Sequence, residues 1–243
     1  TRSLSYYAKR NRSEVMRRSK KLANIKRLAA DVDMLSLQET WLRRNERNAL
    51  KGLLKGHEVF FSNSKEGGHL GCLSAAGPKL VRDYTLAQFP TPEALRGRAV
   101  FVKGVPKTAG ETFGSLNVHF PHKAEDRLPF LRALRSWDAI ADVGRLYLLG
   151  DFNFVLEAAD SSSGSLDSVT KNFRTEWQDF VDWVGLVEID QPTHTWFQIH
   201  KDMSTGKSRR LDRIMVSMDA AELAVNQPNA FIAACPHSLL GTY

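Results

Sequence analysis

Apolar residues along this chain recur at two spacings, and several of the apolar runs stop at a polar side chain. Behind Ser13, a suitable N-cap, Val15, Met16, Leu22, Ile25 and Leu28 fall at helical intervals and predict a helix to about Ala30. Met34, Leu35 and Leu37 then form a short apolar strand that runs into Gln38, Glu39 and Thr40. Further strands are predicted over 58–62, over 70–76 after the Gly67-Gly68 turn signal, and over 80–89, 98–102 and 112–120. Leu128, Leu131, Leu134 and Trp137 line one side of a helix over 126–140. A strand over 145–149 leads into Gly150-Asp151-Phe152-Asn153, and a Ser/Gly/Asp-rich loop follows over 158–168. Phe173, Trp177, Phe180 and Val184 share one face of a helix over 172–184, which marks Trp177, and Trp183 with it, as core. Strand signals close the chain at 194–199, 210–216 and 230–234.

Many strands and few helices, without strict βαβ alternation, point to an α/β (α+β) sandwich of two packed mixed β-sheets flanked by helices. There is no internal repeat and no long linker, so 1–243 reads as one domain with a basic arm over 1–12. Composition agrees, since 42% hydrophobic and 25% charged residues suffice for a real core. No apolar run approaches the roughly 18 residues that would cross a bilayer, and no secretory signal opens the chain. Cys72 and Cys235 make neither a disulfide scaffold nor a zinc site and are expected to be reduced structural thiols, which favours an intracellular setting.

Charge narrows the partner. The net charge is +7, and between Arg2 and Arg27 ten basic residues, Arg17 and Arg18 among them, face the single acid Glu14. A solvated helix face explains such a run as well as an anionic polymer does, but the overall balance favours a phosphate-bearing partner.

The candidate chemistry sits where strands stop. Glu39 follows Asp33-Met34-Leu35-Ser36-Leu37-Gln38, and His119 lies in Leu116-Asn117-Val118-His119-Phe120-Pro121-His122. Asp151 and Asn153 follow Tyr147-Leu148-Leu149-Gly150, Asp212 sits inside Arg209-Arg210-Leu211-Asp212-Arg213-Ile214, and His237 follows a small apolar run. Buried charges are costly unless paired or metal-bound, so converging strand-end carboxylates share a task or stay solvated.

Six stretches, SLQETW, LNVHFPH, LLGDFNFV, THTW, RRLDRIMVS and PHSLL, resemble in their order the endonuclease/exonuclease/phosphatase superfamily. That group includes deoxyribonuclease I, the apurinic endonucleases and the endonuclease domains of LINE-type (non-LTR) retrotransposons, and the likeness is greatest to the last. It implies a deoxyribonuclease I-like fold and a divalent-metal-dependent endonuclease acting on DNA. Glu39 would bind Mg²⁺ (or Mn²⁺) with Asp151, which also orients or activates the attacking water beside Asn153. Asp212 would orient His237, and His119 would assist at the phosphate; LINE and apurinic enzymes usually carry Tyr there, deoxyribonuclease I and the phosphatases His. Arg209, Arg210, Arg213, Trp196, Arg17 and Arg18 would contact DNA. The resemblance further implies a reverse transcriptase beyond Tyr243, nuclear localisation and a first strand, bearing a family Asn, upstream of Thr1.

The resemblance is incomplete in two places, the family's first strand with its Asn, which the region over 1–13 does not supply, and the closing motif. Pro236 stands where the closing motif has Asp, and proline neither binds metal nor accepts a proton. Two alternatives stay open: a phosphatase or RNA-cleaving member of the same superfamily, which His119 supports, and a catalytically impaired nucleic-acid-binding remnant, which Pro236 and the missing Asn support.

Overall fold

The computed structural model describes residues 22–40, 44–63, 70–164, 169–189, 194–199 and 205–218, with a few isolated positions besides. Arg17, Arg18, Cys235, Pro236, His237 and the strand expected over 230–234 lie outside the described residues.

Two sheets stack face to face. The smaller has the order β1 (Met34–Leu37), β3 (Gly71–Ala76), β2 (Glu58–Asn63). The larger runs β4 (Tyr84–Gln88), β5 (Ala99–Pro106), β6 (Phe113–His119), β7 (Arg145–Asp151), β11 (Asp212–Ser217), β8 (Leu186–Glu188). Its pairs are antiparallel except β6–β7, which is parallel, so it is a mixed sheet. A hairpin of β9 (Trp196–Ile199) and β10 (Thr205–Arg209) stands apart.

The period-2 alternation of strands explains the layering. On β5, Val100 and Val102 meet Phe60, Cys72 and Ala76 of the facing sheet, while Ala99 and Phe101 turn to the opposite side. There they join Leu116 and Val118 of β6, Leu146 and Leu148 of β7, and an aromatic group of Phe120, Phe152, Phe154, Phe173, Trp177 and Phe180. Helices α4 (Ala124–Arg135) and α5 (Lys171–Val184) cover this face through Phe130, Leu131, Leu134 and Trp177. The outer face of the small sheet packs Leu73 and Ala75 on Ile25 and Ala29 of α1 (residues 22–30) and Leu50 of α2 (Arg44–Leu53). The result is the helix–sheet–sheet–helix sandwich that the sequence pattern indicates.

Several expectations need correction. Residues 80–89 are not one strand, because Pro78 opens the helix α3 (Pro78–Asp83) and β4 begins only at Tyr84. The helix expected over 126–140 ends at Arg135, and Trp137 and Ile140 reach the core from a separate 3-10 turn. Helix α2 and strands β8 and β10 were not anticipated. Trp177 is core, but Trp183 is 40% exposed. Cys72 is a free, fully buried thiol. Among the described residues no helix is long and apolar enough to cross a membrane.

Candidate active site

Three neighbouring strands of the large sheet bring polar side chains to one edge. The parallel pairing of β6 with β7 sets His119 opposite Asp151, and the antiparallel pairing of β7 with β11 sets Asp212 opposite Asp151 on the other side. The facing sheet adds a fourth group, since β1 stops at Leu37 and its chain turns through Gln38 into Glu39. Nε2 of His119 lies 3.7 Å from Glu39 Oε1 and 4.0 Å from Asp151 Oδ2. His122, beyond the end of β6, places its own Nε2 3.7 Å from the same Glu39 oxygen.

Backbone geometry at this edge is unusual. Glu39 and Asn153 have φ of 50° and 54°, and they are the only non-glycine residues with positive φ among those described. Such conformations are costly for residues with side chains and persist only where the surroundings enforce them. Asn153 is enforced by its own N–H donating to Asp151 Oδ1 at 2.9 Å, by its Nδ2 donating to the Phe120 carbonyl at 2.9 Å, and by Arg127 donating to its carbonyl at 2.5 Å. Gly150, with φ of 148°, could not be replaced, because a Cβ there would sit 1.9 Å from the Val118 carbonyl oxygen. The glycine of the GDFN stretch is thus required by the close approach of β7 to β6.

Glu39 is placed by a bridge between the sheets. The amide of Asn117, fully buried on β6, donates to the carbonyls of Leu37 at 3.2 Å and Leu73 at 2.8 Å. Its oxygen accepts from Gln38 Nε2 at 2.6 Å, fixing the residue next to Glu39. Asn117 and His119 share a face of β6, so one strand both holds the Glu39 turn and supplies its imidazole neighbour.

Electrostatics follow from burial. Desolvation first, and the charge of Asp212 second, push Asp151 up to about 8. Asp212 also rises, again through burial, although its hydrogen bond with Thr195 opposes the shift. His119 is pulled down to about 3 by burial, then by Arg98 and His122, so it is a neutral imidazole. Neither of its ring nitrogens has a hydrogen-bond partner among the described residues. Leaving a buried polar atom unpaired costs about 1–3 kcal/mol, so the imidazole is free to bind a group from outside the described residues.

The basic residues expected at DNA divide. Arg213 is 2% exposed and its guanidinium binds Asp160 and, at 2.7 Å and 2.9 Å, the carboxylate of Glu188. Arg210 pairs with Asp160 at 2.6 Å and with Glu188 at 3.2 Å. Both arginines therefore belong to an internal ion-pair network, which corrects the expectation that they meet phosphate. Trp196 and Phe197 are 36% and 41% exposed on the β9–β10 hairpin, and Trp196 pairs in register with Arg209. That hairpin is tied to the strand edge through Thr195, whose Oγ1 accepts the Leu211 and Asp212 N–H groups at 3.1 Å and 3.0 Å.

The sequence profile of the Endonuclease/Exonuclease/phosphatase family matches residues 8–221. The chain belongs to this family. Its members are hydrolases of phosphodiester or phosphate ester bonds and typically depend on a divalent metal. Solved structures with a similar fold include the endonuclease domain of TRAS1, a telomere-specific non-LTR retrotransposon, at a TM-score of 0.57 and 16% identity, covering 84% of this chain and 80% of that one. The AP endonuclease LMAP from Leishmania major gives 0.61 and 17%, over 82% and 73% of the two chains. The 3′ phosphatase NExo from Neisseria, bound to product DNA hairpin, gives 0.61 and 22%, over 84% and 83%. No curated protein matches the sequence.

The residues present fit the family's divalent metal. Ligand atoms of Glu39, His119 and His122 all lie within 4.8 Å of one another, and the neutral His119, with no hydrogen-bond partner among the described residues, has a ring-nitrogen lone pair to offer. His122, Gln38, Asn117, Arg127 and Thr195 are site residues that sequence reasoning did not single out. Of these only His122 had a readable signal, its place three residues after His119.

Proposed function

We propose that this family member is a divalent-metal-dependent endonuclease that hydrolyses DNA phosphodiester bonds, in the manner of non-LTR retroelement endonuclease domains. The observation that carries the reading is the meeting of Glu39, His119 and Asp151, through contacts of 3.7 Å and 4.0 Å, at one strand edge between the two sheets. The net charge of +7 favours a polyanionic substrate over a small phosphate ester. The fold shared with the TRAS1 domain supports the retroelement assignment, and with it the expectation of a reverse transcriptase in the same polypeptide and of nuclear action.

In this reading Glu39, with Asp151, would hold Mg²⁺ (or Mn²⁺). The chemistry such an ion supplies is neutralisation of phosphate charge and polarisation of the P–O bonds. Asp151 orients a water for in-line attack on phosphorus and takes its proton. Asn153, clamped between Asp151 and Phe120, keeps that carboxylate pointed at the site. His119 faces the phosphate as a neutral donor. Asp212 orients His237, which hydrogen-bonds a phosphate oxygen as charge develops there. Phosphate contacts fall to Arg17, Arg18 and Arg209, with Trp196 beside Arg209.

The test is nicking of supercoiled plasmid by the purified chain with Mg²⁺, beside EDTA and Asp151→Ala controls. Nicking that disappears in both controls is the expected result and shows that Pro236 is tolerated. Salt-sensitive DNA binding without any nicking would overturn the catalytic reading in favour of the impaired remnant.

A further inference from the structure

Two observations at the strand edge are not explained by a carboxylate-only metal site. The first is the pair of imidazoles converging on one oxygen: Nε2 of His119 and Nε2 of His122 each lie 3.7 Å from Glu39 Oε1, with the rings edge to face at a centroid distance of 5.6 Å. The second is that His119, with no exposed surface, leaves both ring nitrogens without a hydrogen-bond partner among the described residues. An ordinary surface ion pair between His122 and Glu39 accounts for the first observation alone, because it gives His119 nothing to bind.

We propose that Glu39, His119 and His122 form a two-imidazole, one-carboxylate site that selects a borderline transition-metal dication, of which Co²⁺ and Zn²⁺ are the working probes, over Mg²⁺. This rests on the reading that Glu39 is the metal-binding carboxylate, and it adds His119 and His122 as ligands. Imidazole nitrogen suits such ions, whereas Mg²⁺ prefers oxygen donors in a near-octahedral shell.

Distances allow it. With metal–nitrogen and metal–oxygen bonds of roughly 2.1 Å, donors on one ion lie no more than about 4.2 Å apart. The 3.7 Å separations already satisfy that limit, and the outer limit of 4.8 Å for the group closes with a small rotation of the exposed His122 ring. The backbone under His122 does not have to move. Buried Arg127 donates from Nε to the Pro121 carbonyl at 3.1 Å and from Nη2 to the His122 carbonyl at 2.9 Å, while also gripping the Asn153 carbonyl. Glu39 is held by the Gln38–Asn117 hydrogen bond and His119 by its strand. Each donor thus hangs from a fixed backbone, the arrangement that lets a site discriminate between metals.

The experiment titrates the chain with Co²⁺, Zn²⁺ and Mg²⁺ by calorimetry, follows the Co²⁺ absorption bands, and records histidine side-chain nitrogen shifts. The proteins are wild type, His122→Asn and Glu39→Gln, each checked for an unchanged thermal midpoint. The expected result is that His122→Asn weakens Co²⁺ and Zn²⁺ binding by roughly tenfold to a hundredfold while Mg²⁺ affinity changes little. In wild type both His119 and His122 nitrogens shift on Zn²⁺ addition. Co²⁺ affinity and spectra unaltered in His122→Asn would overturn the proposal. If Mg²⁺-dependent nicking nevertheless requires Glu39, the endonuclease reading stands and this inference alone fails. Histidine-dependent Co²⁺ binding in a chain that never nicks DNA sustains this inference while the endonuclease reading fails.

Discussion

Asp151 and Asp212 face each other across the β7–β11 ladder, two carboxylates on directly opposed residues of adjacent strands. Such opposition of like charges is destabilising, and here burial compounds it, raising both groups. A fold does not retain this arrangement for stability, so it marks a site where stability has been exchanged for chemistry. Replacing Asp212 by Asn keeps the shape and removes one charge. The metal-free Asp212→Asn variant should melt about 2–4 °C higher, corresponding to about 1 kcal/mol. If Asp212 orients His237 as proposed, the variant's plasmid nicking should fall about a hundredfold or more. Differential scanning calorimetry and a nicking time course measure the two effects. A melting point that drops would show that Asp212 is stabilising and refute the account.

Gly150 tests the strand spacing on which the site depends. An added methyl would meet the Val118 carbonyl oxygen at 1.9 Å, from a backbone φ of 148° that side chains rarely adopt. Neither strand can retreat, because β7 is hydrogen-bonded between β6 and β11 at the centre of the sheet. Gly150→Ala should therefore cost about 3–5 kcal/mol by urea unfolding, among the larger effects of a single methyl group. Wild-type stability in that variant would mean that the β6–β7 approach is looser than the structure has it.

How much of this was legible in the sequence depended on whether the deciding contact was local. Glu39, His119 and Asp151 were readable because each ends an apolar run, and a strand's apolar stretch stops where its side chains reach the sheet edge. Helix α5 was readable because Phe173, Trp177 and Phe180 repeat at helical spacing. Helix α2 was not, since its apolar residues, Leu50 and Leu53, crowd one end behind a charged start. Residues 80–89 misled because Val81, Tyr84 and Thr85 are good strand formers; the Gly77-Pro78 start signal makes the first part of the stretch a helix. The fates of Arg210 and Arg213 lay beyond local reading, because an arginine in a basic stretch looks the same whether its partner is a phosphate or a buried Asp fifty residues earlier.

That buried partner, Asp160, yields the last prediction. It is 1% exposed and takes Arg213 on one carboxylate oxygen and Arg210 on the other, while also accepting the Glu157 N–H at 3.2 Å. Burial alone would raise its pKa, but the hydrogen bonds and charges of the two arginines outweigh burial and hold it below the ordinary carboxylate value. A carboxylate with a depressed folded-state pKa contributes stability that is complete above its unfolded value, about 3.9, and is lost as pH falls through the folded value. Asp160→Asn should therefore cost about 3–5 kcal/mol at pH 7, since it leaves the buried Arg213 with only Glu188 to balance it. The gap between wild type and variant should narrow in acid, closing as wild-type Asp160 itself takes up a proton. Urea unfolding of both proteins at pH 7 and in a series below about pH 4 measures this. A gap that stays constant down that series would mean that Asp160 acts through its shape and its Glu157 hydrogen bond rather than its charge.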